Sequence, residues 1–143
     1  MKKEFDERLK EVIDERLKHV LEDQGFIKNI GVEFLEFGPG YAKGRLKLKG
    51  EVLNPMGAAH GGCIFALADT IGGTAAITRG SYVTTVSASI DYLRSAKDVE
   101  YIYAQASEVK NGRTISVYDV MIKDDKDTNI ARVTLSYYKL GDI

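Results

Sequence analysis

The stretch Asn54–Gly73, NPMGAAHGGCIFALADTIGG, sets a histidine and a glycine pair in front of an apolar run that holds a single aspartate. Over about 61–79, Cys63, Ile64, Phe65, Ala66, Leu67, Ala68, Ile71, Ala75, Ala76 and Ile77 fall on nearly every side of a helical wheel. A helix without a polar face must be buried on most sides. The segment therefore predicts a central helix that the rest of the chain wraps.

The flanks supply the wrapping. After Gly80 come four long runs rich in β-branched and aromatic residues: SYVTTVSASIDYLR (81–94), VEYIYAQASEVK (99–110), RTISVYDVMIK (113–123) and TNIARVTLSYYKL (128–140). Such runs read as strands. Asn111-Gly112 predicts a hairpin between the second and third, and the DDKD of Asp124–Asp127 the next turn. Upstream, Lys43, Arg45, Lys47 and Lys49 alternate with Ala42, Gly44, Leu46 and Leu48, predicting a strand with one wet face. The basic stripe reads as a solvated sheet face. A strand over about 29–37 precedes it. Residues 3–23 place Phe5, Leu9, Val12, Ile13, Leu17, Val20 and Leu21 at helical spacing, with Gly25 as the stop. This amphipathic helix is expected to dock on the body of the domain. The predicted class is α+β: a curved antiparallel sheet around a long central helix, with an extra N-terminal helix over 1–25 and one domain over 26–143.

Composition limits the function classes. The 143 residues are 44% hydrophobic and 29% charged, with 20 basic and 21 acidic side chains. A net charge of −1 offers no basic field for nucleic acid. The one cysteine, Cys63, forms no internal disulfide and no multi-thiolate metal site. MKKEFDERLKEVIDERLKH lacks the apolar segment of a signal peptide, and no run approaches a membrane span. The expectation is a cytoplasmic protein without metal or cofactor, membrane or nucleic-acid partner.

Asp69 is the anomaly in the central helix. A buried carboxylate costs several kcal/mol unless satisfied, so it is either a tied structural group or a reactive one. Gly72 and Gly73 are poor helix formers, which implies close approach by a neighbouring helix or a ligand. His60-Gly61-Gly62 stands where the helix begins. The first-turn N–H groups lack intrahelical partners, and glycine leaves room for a carbonyl oxygen to reach them, as in an oxyanion hole. Eight residues of helix advance roughly 12 Å, while a base and an oxyanion donor must serve one reacting centre. Gly61 and Asp69 of one chain cannot do so. Two chains packed antiparallel through their central helices can, with shared sites at the interface of a dimer or dimer of dimers.

The run NPMGAAHGGCIFALAD, with SASIDYLRSA and GRTISVYDVMI further on, resembles the hotdog-fold acyl-CoA thioesterases of the phenylacetate-pathway type, over roughly residues 28–140. That resemblance implies a hotdog fold and an acyl-CoA substrate, with coenzyme A as part of the substrate. It places Asp69 at the catalytic carboxylate, as general base or nucleophile. Asn54 falls at a residue positioning water or acyl group, His60 at one orienting the thioester, Gly61 at the N–H that polarises its carbonyl, and Thr85 near a hydroxyl that assists the water. Gly62 opens the turn to substrate. Arg94 with Lys97, and Lys110 with Arg113 at the hairpin, are candidate cations for the coenzyme's phosphates. A thioester carbonyl is electrophilic and thiolate leaves readily, so one carboxylate and an oxyanion donor suffice.

Other readings compete. Cys63, His60 and Asp69 invite a cysteine hydrolase, although a cysteine in an apolar helix normally acts as a small hydrophobe. A hotdog dehydratase and a non-catalytic acyl-CoA-binding hotdog module are the alternatives within the fold.

Overall fold

The apolar run forms α3, Gly61–Ile77, in a computed structural model that describes residues 7–22 and 25–143. Leu67, Ala68, Ile71 and Ala75 are fully buried along it. Burying each of the larger aliphatics stabilises the fold by about 1.5–3 kcal/mol. The helix ends two residues earlier than the sequence predicts. Thr78 turns its hydroxyl back on the Ala75 carbonyl at 2.6 Å and accepts the Gly40 N–H at 2.8 Å, tying the helix end to the turn at Gly40.

The strands are β1 (Val32–Gly38), β2 (Tyr41–Lys47), β3 (Ser81–Tyr92), β4 (Tyr101–Asn111), β5 (Ile115–Asp124) and β6 (Asn129–Asp142). They form one antiparallel sheet in the order β1-β2-β4-β5-β6-β3, with α3 packed against it. Alternation decides which side each residue takes. Ala42 and Leu46, Ile102 and Ala104, Val120 and Ile122, and Val133 and Leu135 are all buried. Small residues let the helix approach: a Cβ on Gly44 would strike the Ile71 side chain and, at 2.9 Å, the Glu33 carbonyl. On the wet face, Arg45 pairs with Glu33 at 2.6 Å, Lys43 with Glu36 at 3.6 Å and Lys47 with Glu100 at 3.8 Å. Lys43, Arg45 and Lys47 of the basic stripe thus have acidic neighbours, as on a solvated sheet face.

Three local features depart from expectation. The strand expected over 29–37 begins at Val32, because Phe26–Ile30 form a short helix, α2, closed by Gly31 at φ 88°. Gly25 therefore precedes α2 in an extended conformation. At the β4–β5 hairpin the chain turns through Gly112–Thr114, with the Gly112 N–H on the Ile115 carbonyl at 3.0 Å, so the loop exceeds a two-residue turn. Gly112 is required by space rather than by a positive φ: its Cβ would lie 2.5 Å from that carbonyl.

The N-terminal helix α1 covers Glu7–Glu22. Ile13 is fully buried, Leu9, Val12 and Leu17 are half-buried, and the Arg16 guanidinium lies 5.0 Å from the centre of the Tyr82 ring. Phe5 lies outside the described residues. Among those described, no helix is long and apolar enough to cross a membrane.

Candidate active site

The loop before α3 is clamped. Asn54 Oδ1 accepts the N–H groups of Met56 and Ala58 at 3.0 and 3.1 Å, and the Asn54 N–H donates to the Ala58 carbonyl at 2.7 Å. The two donors fix the side-chain amide, leaving its Nδ2 as the free donor. The His60 N–H bonds the Val52 carbonyl at 2.8 Å and the Ala59 N–H that of Ala96 at 2.9 Å. The His60 side chain is the helix N-cap: Nδ1 accepts the Gly62 N–H at 2.8 Å. A neutral ring therefore carries its proton on Nε2, the nitrogen left for other work. Gly62 is spatially necessary, since a Cβ there would sit 3.0 Å from His60 Nδ1. The Gly61 N–H meets no acceptor among the described residues, while the Gly61 carbonyl accepts the Tyr92 hydroxyl at 2.8 Å.

Asp69, two turns on, is half-buried. Thr85 Oγ1 donates to its Oδ1 at 2.8 Å. The Tyr137 hydroxyl lies 3.2 Å from the same Oδ1 and 3.0 Å from the Asp69 carbonyl. Thr85, expected from the resemblance near a hydroxyl that assists the water, is hydrogen-bonded to Asp69 itself. Tyr137 is 1% exposed, and burial together with the adjacent carboxylate pushes its phenol well above the ordinary tyrosine range. Gly72 makes room for it: a Cβ there would stand 2.6 Å from the Tyr137 hydroxyl. The close approach expected at the Gly72-Gly73 pair is thus made by the chain's own β6.

Asp69, Thr85 and Tyr137 open on a cleft of about 310 Å³. Its apolar wall includes Ile77, Phe34 and, from α1, Leu17, with Arg16 alongside. The N-terminal helix is therefore part of the site's enclosure, which its amphipathic pattern alone did not reveal. A larger cleft of about 720 Å³ lies elsewhere on the sheet, against Tyr103 and Met121, and contains none of the expected site residues.

The expected residues thus form two groups on one rigid helix. Asn54, His60, Gly61 and Gly62 gather at its start, Asp69 and Thr85 at its middle. Arg94 and Lys97 follow the end of β3 beside the first group, where Lys97 bridges Ala58. Lys110 and Arg113 flank the hairpin at the opposite end of the sheet, since Asn111 pairs with Ser116 and Ser116 with Tyr137. Cys63 is half-buried, burial pushes its thiol up, and His60 Nδ1 is committed to Gly62, so a cysteine nucleophile gains no support. Among the described residues no group of His, Cys, Asp and Glu is arranged to hold a metal ion. Tyr137 and Tyr92 are the polar groups that sequence reasoning missed. An inward-facing register put Tyr137 in line with Val133 and Leu135, a place where a hydroxyl requires a partner.

Comparison with known proteins adds to this geometry. A family model described as the thioesterase superfamily matches residues 56–131. The acyl-coenzyme A thioesterase PaaI of Escherichia coli is 25% identical over 120 residues, 84% of this chain and 86% of that protein. The structure of E. coli PaaI, from the phenylacetic acid degradation operon, superposes with a TM-score of 0.84 at 23% identity, covering 94% of this chain and 97% of that one. The crystal structure of smu.793 from Streptococcus mutans, bound to acetyl CoA, is 30% identical with a TM-score of 0.78, covering 87% of this chain and 98% of that chain. The six-stranded sheet and its long helix are a hotdog fold of the PaaI type.

Proposed function

The chain belongs to the thioesterase superfamily and is a thioester hydrolase, and from that premise we propose that it cleaves acyl-coenzyme A esters with Asp69 of one protomer and the glycine turn of another. The observation that carries this reading is the state of the two groups among the described residues: Asp69 has one oxygen held and the other without a partner, and the Gly61 N–H has no acceptor. As general base, the carboxylate takes a proton from water as its oxygen attacks the thioester carbon. The carbonyl oxygen gains negative charge, which the Gly61 N–H and the positive end of α3 stabilise. Collapse then breaks the carbon–sulfur bond and releases the coenzyme as thiolate, which takes up the proton. As nucleophile, the same oxygen would attack directly and water would hydrolyse the resulting anhydride. His60 Nε2–H and Asn54 Nδ2 are the remaining donors at the turn for orienting ester or water.

Helix rise puts Gly61 and Asp69 of one chain roughly 12 Å apart, so the reading requires a partner chain running antiparallel. The open edge of β3, beside Asp69 and carrying exposed Val86 and Tyr92, supports such pairing, because sheet edges are rarely left unprotected. An antiparallel partner also brings the Lys110–Arg113 end of one sheet towards the Arg94–Lys97 end of the other. Both cation pairs are then candidates for the phosphates of one coenzyme. A dimer, or a tetramer built from two dimers, meets these needs.

The test is thiol release from a panel of acyl-CoA esters. Turnover is expected, and Asp69→Asn is expected to lower kcat by about 10²–10⁴-fold with little change in KM, because the proton moves only in the transition state. Binding of coenzyme esters without turnover of any would leave the non-catalytic binding module as the reading.

A further inference from the structure

We propose that Tyr137 is a positioning residue for hydrolysis: with Thr85 it pins Asp69 through Oδ1 and so assigns the chemistry to Oδ2. This rests on Asp69 being the reacting carboxylate, and adds which of its oxygens reacts and what holds it.

Three observations converge. Both hydroxyls within bonding distance of the carboxylate meet Oδ1, Thr85 at 2.8 Å and Tyr137 at 3.2 Å, and neither meets Oδ2. Tyr137 also reaches the Asp69 carbonyl at 3.0 Å, bridging the residue's main chain and side chain. A carboxylate gripped at one oxygen by donors from two different strands, β3 and β6, loses its freedom to rotate. Finally, the protein makes room for this contact inside a helix. Gly72 costs roughly 1 kcal/mol of helix propensity relative to alanine, and a methyl there would meet the Tyr137 hydroxyl at 2.6 Å, Leu135 Cδ1 at 3.2 Å and Val120 Cγ2 at 3.3 Å. Packing alone would be served by phenylalanine at 137. The hydroxyl is the part that Gly72 accommodates, and its contacts are all with Asp69. Tyr137 lies outside the stretch 56–131 that the family model matches.

The charged and titratable groups sharing the cleft are Arg16 of α1, a fixed cation, and Tyr137 itself, whose phenol is held well above its ordinary range.

Tyr137→Phe keeps the ring and deletes the hydroxyl. Expected are a fall in kcat of about tenfold, the usual scale for losing one hydrogen bond to a charged group, with KM within about twofold. Gly72→Ala, which displaces the hydroxyl without touching residue 137, should lower kcat in the same way, with KM again little changed. A lower melting temperature in either variant with the kcat of the wild type would overturn the proposal, reducing Tyr137 to a packing residue. An unchanged kcat in Tyr137→Phe alone would do so too. Absence of acyl-CoA turnover in the wild-type protein would overturn the parent reading and this proposal together, and the wild-type arm identifies that outcome separately.

Discussion

At Gly61 the contribution of a single N–H can be isolated. The residue is the first of α3, and His60 before it sits at φ −64°, ψ 134°. Proline is well tolerated at a first helical position, and the conformation of His60 is the one favoured before proline. Gly61→Pro should therefore fold while deleting only the donor. The Tyr92 hydroxyl, 3.2 Å from a Cβ at 61, has to shift by a few tenths of an ångström. Loss of one oxyanion donor costs about 10²–10³-fold in kcat, and that fall is expected here with an unchanged melting temperature. A proline variant of near-normal kcat would mean that another donor polarises the ester. At this scale the sequence was partly legible. His60, Gly61 and Asp69 stand out because a helix start and an acid in an apolar run are local signals. The hold of Tyr137 on Asp69 was not legible, since it joins residues far apart in the chain through a register set only when the sheet forms.

Among the elements, α3 and the four strands after it were readable because periodicity is strong and each run is long. The short α2 was not: Phe26–Ile30 mix apolar and polar residues over too few turns to show a period, and Gly31 reveals the helix only through its φ of 88°. The amphipathic pattern of α1 announced a docked helix without saying where it docks. Its position makes it a wall of the cleft, through Leu17 and Arg16, and Ile13 is its anchor, fully buried. Ile13→Ala should destabilise the protein by about 2–5 kcal/mol, the range for truncating a buried aliphatic. As α1 loosens, KM should rise more for acyl groups long enough to reach Leu17 than for acetyl-CoA. Thermal unfolding and a chain-length series of esters measure the two effects. Destabilisation with one common change in KM along the series would make α1 a strut with no part in acyl binding.

For the whole molecule, the decisive quantity is the separation along α3. A helix unbroken from Gly61 to Ile77 cannot bend its first residue towards its ninth, so an oxyanion turn and a carboxylate on it serve one ester only if they come from different chains. This has a consequence that no single-chain site shares. Asp69→Asn and Gly61→Pro each spoil every site in their own homodimers, because each site needs one group of each kind. In a mixed dimer, one site receives both substitutions and the other receives neither. Equal co-expression with random pairing makes half the dimers mixed, with one intact site in two, so about a quarter of wild-type turnover should return. The fraction is the same for a tetramer assembled from such dimers. A site contained within one chain predicts no recovery at any mixing ratio. Light scattering at assay concentration completes the test: an active monomer would contradict the shared site directly.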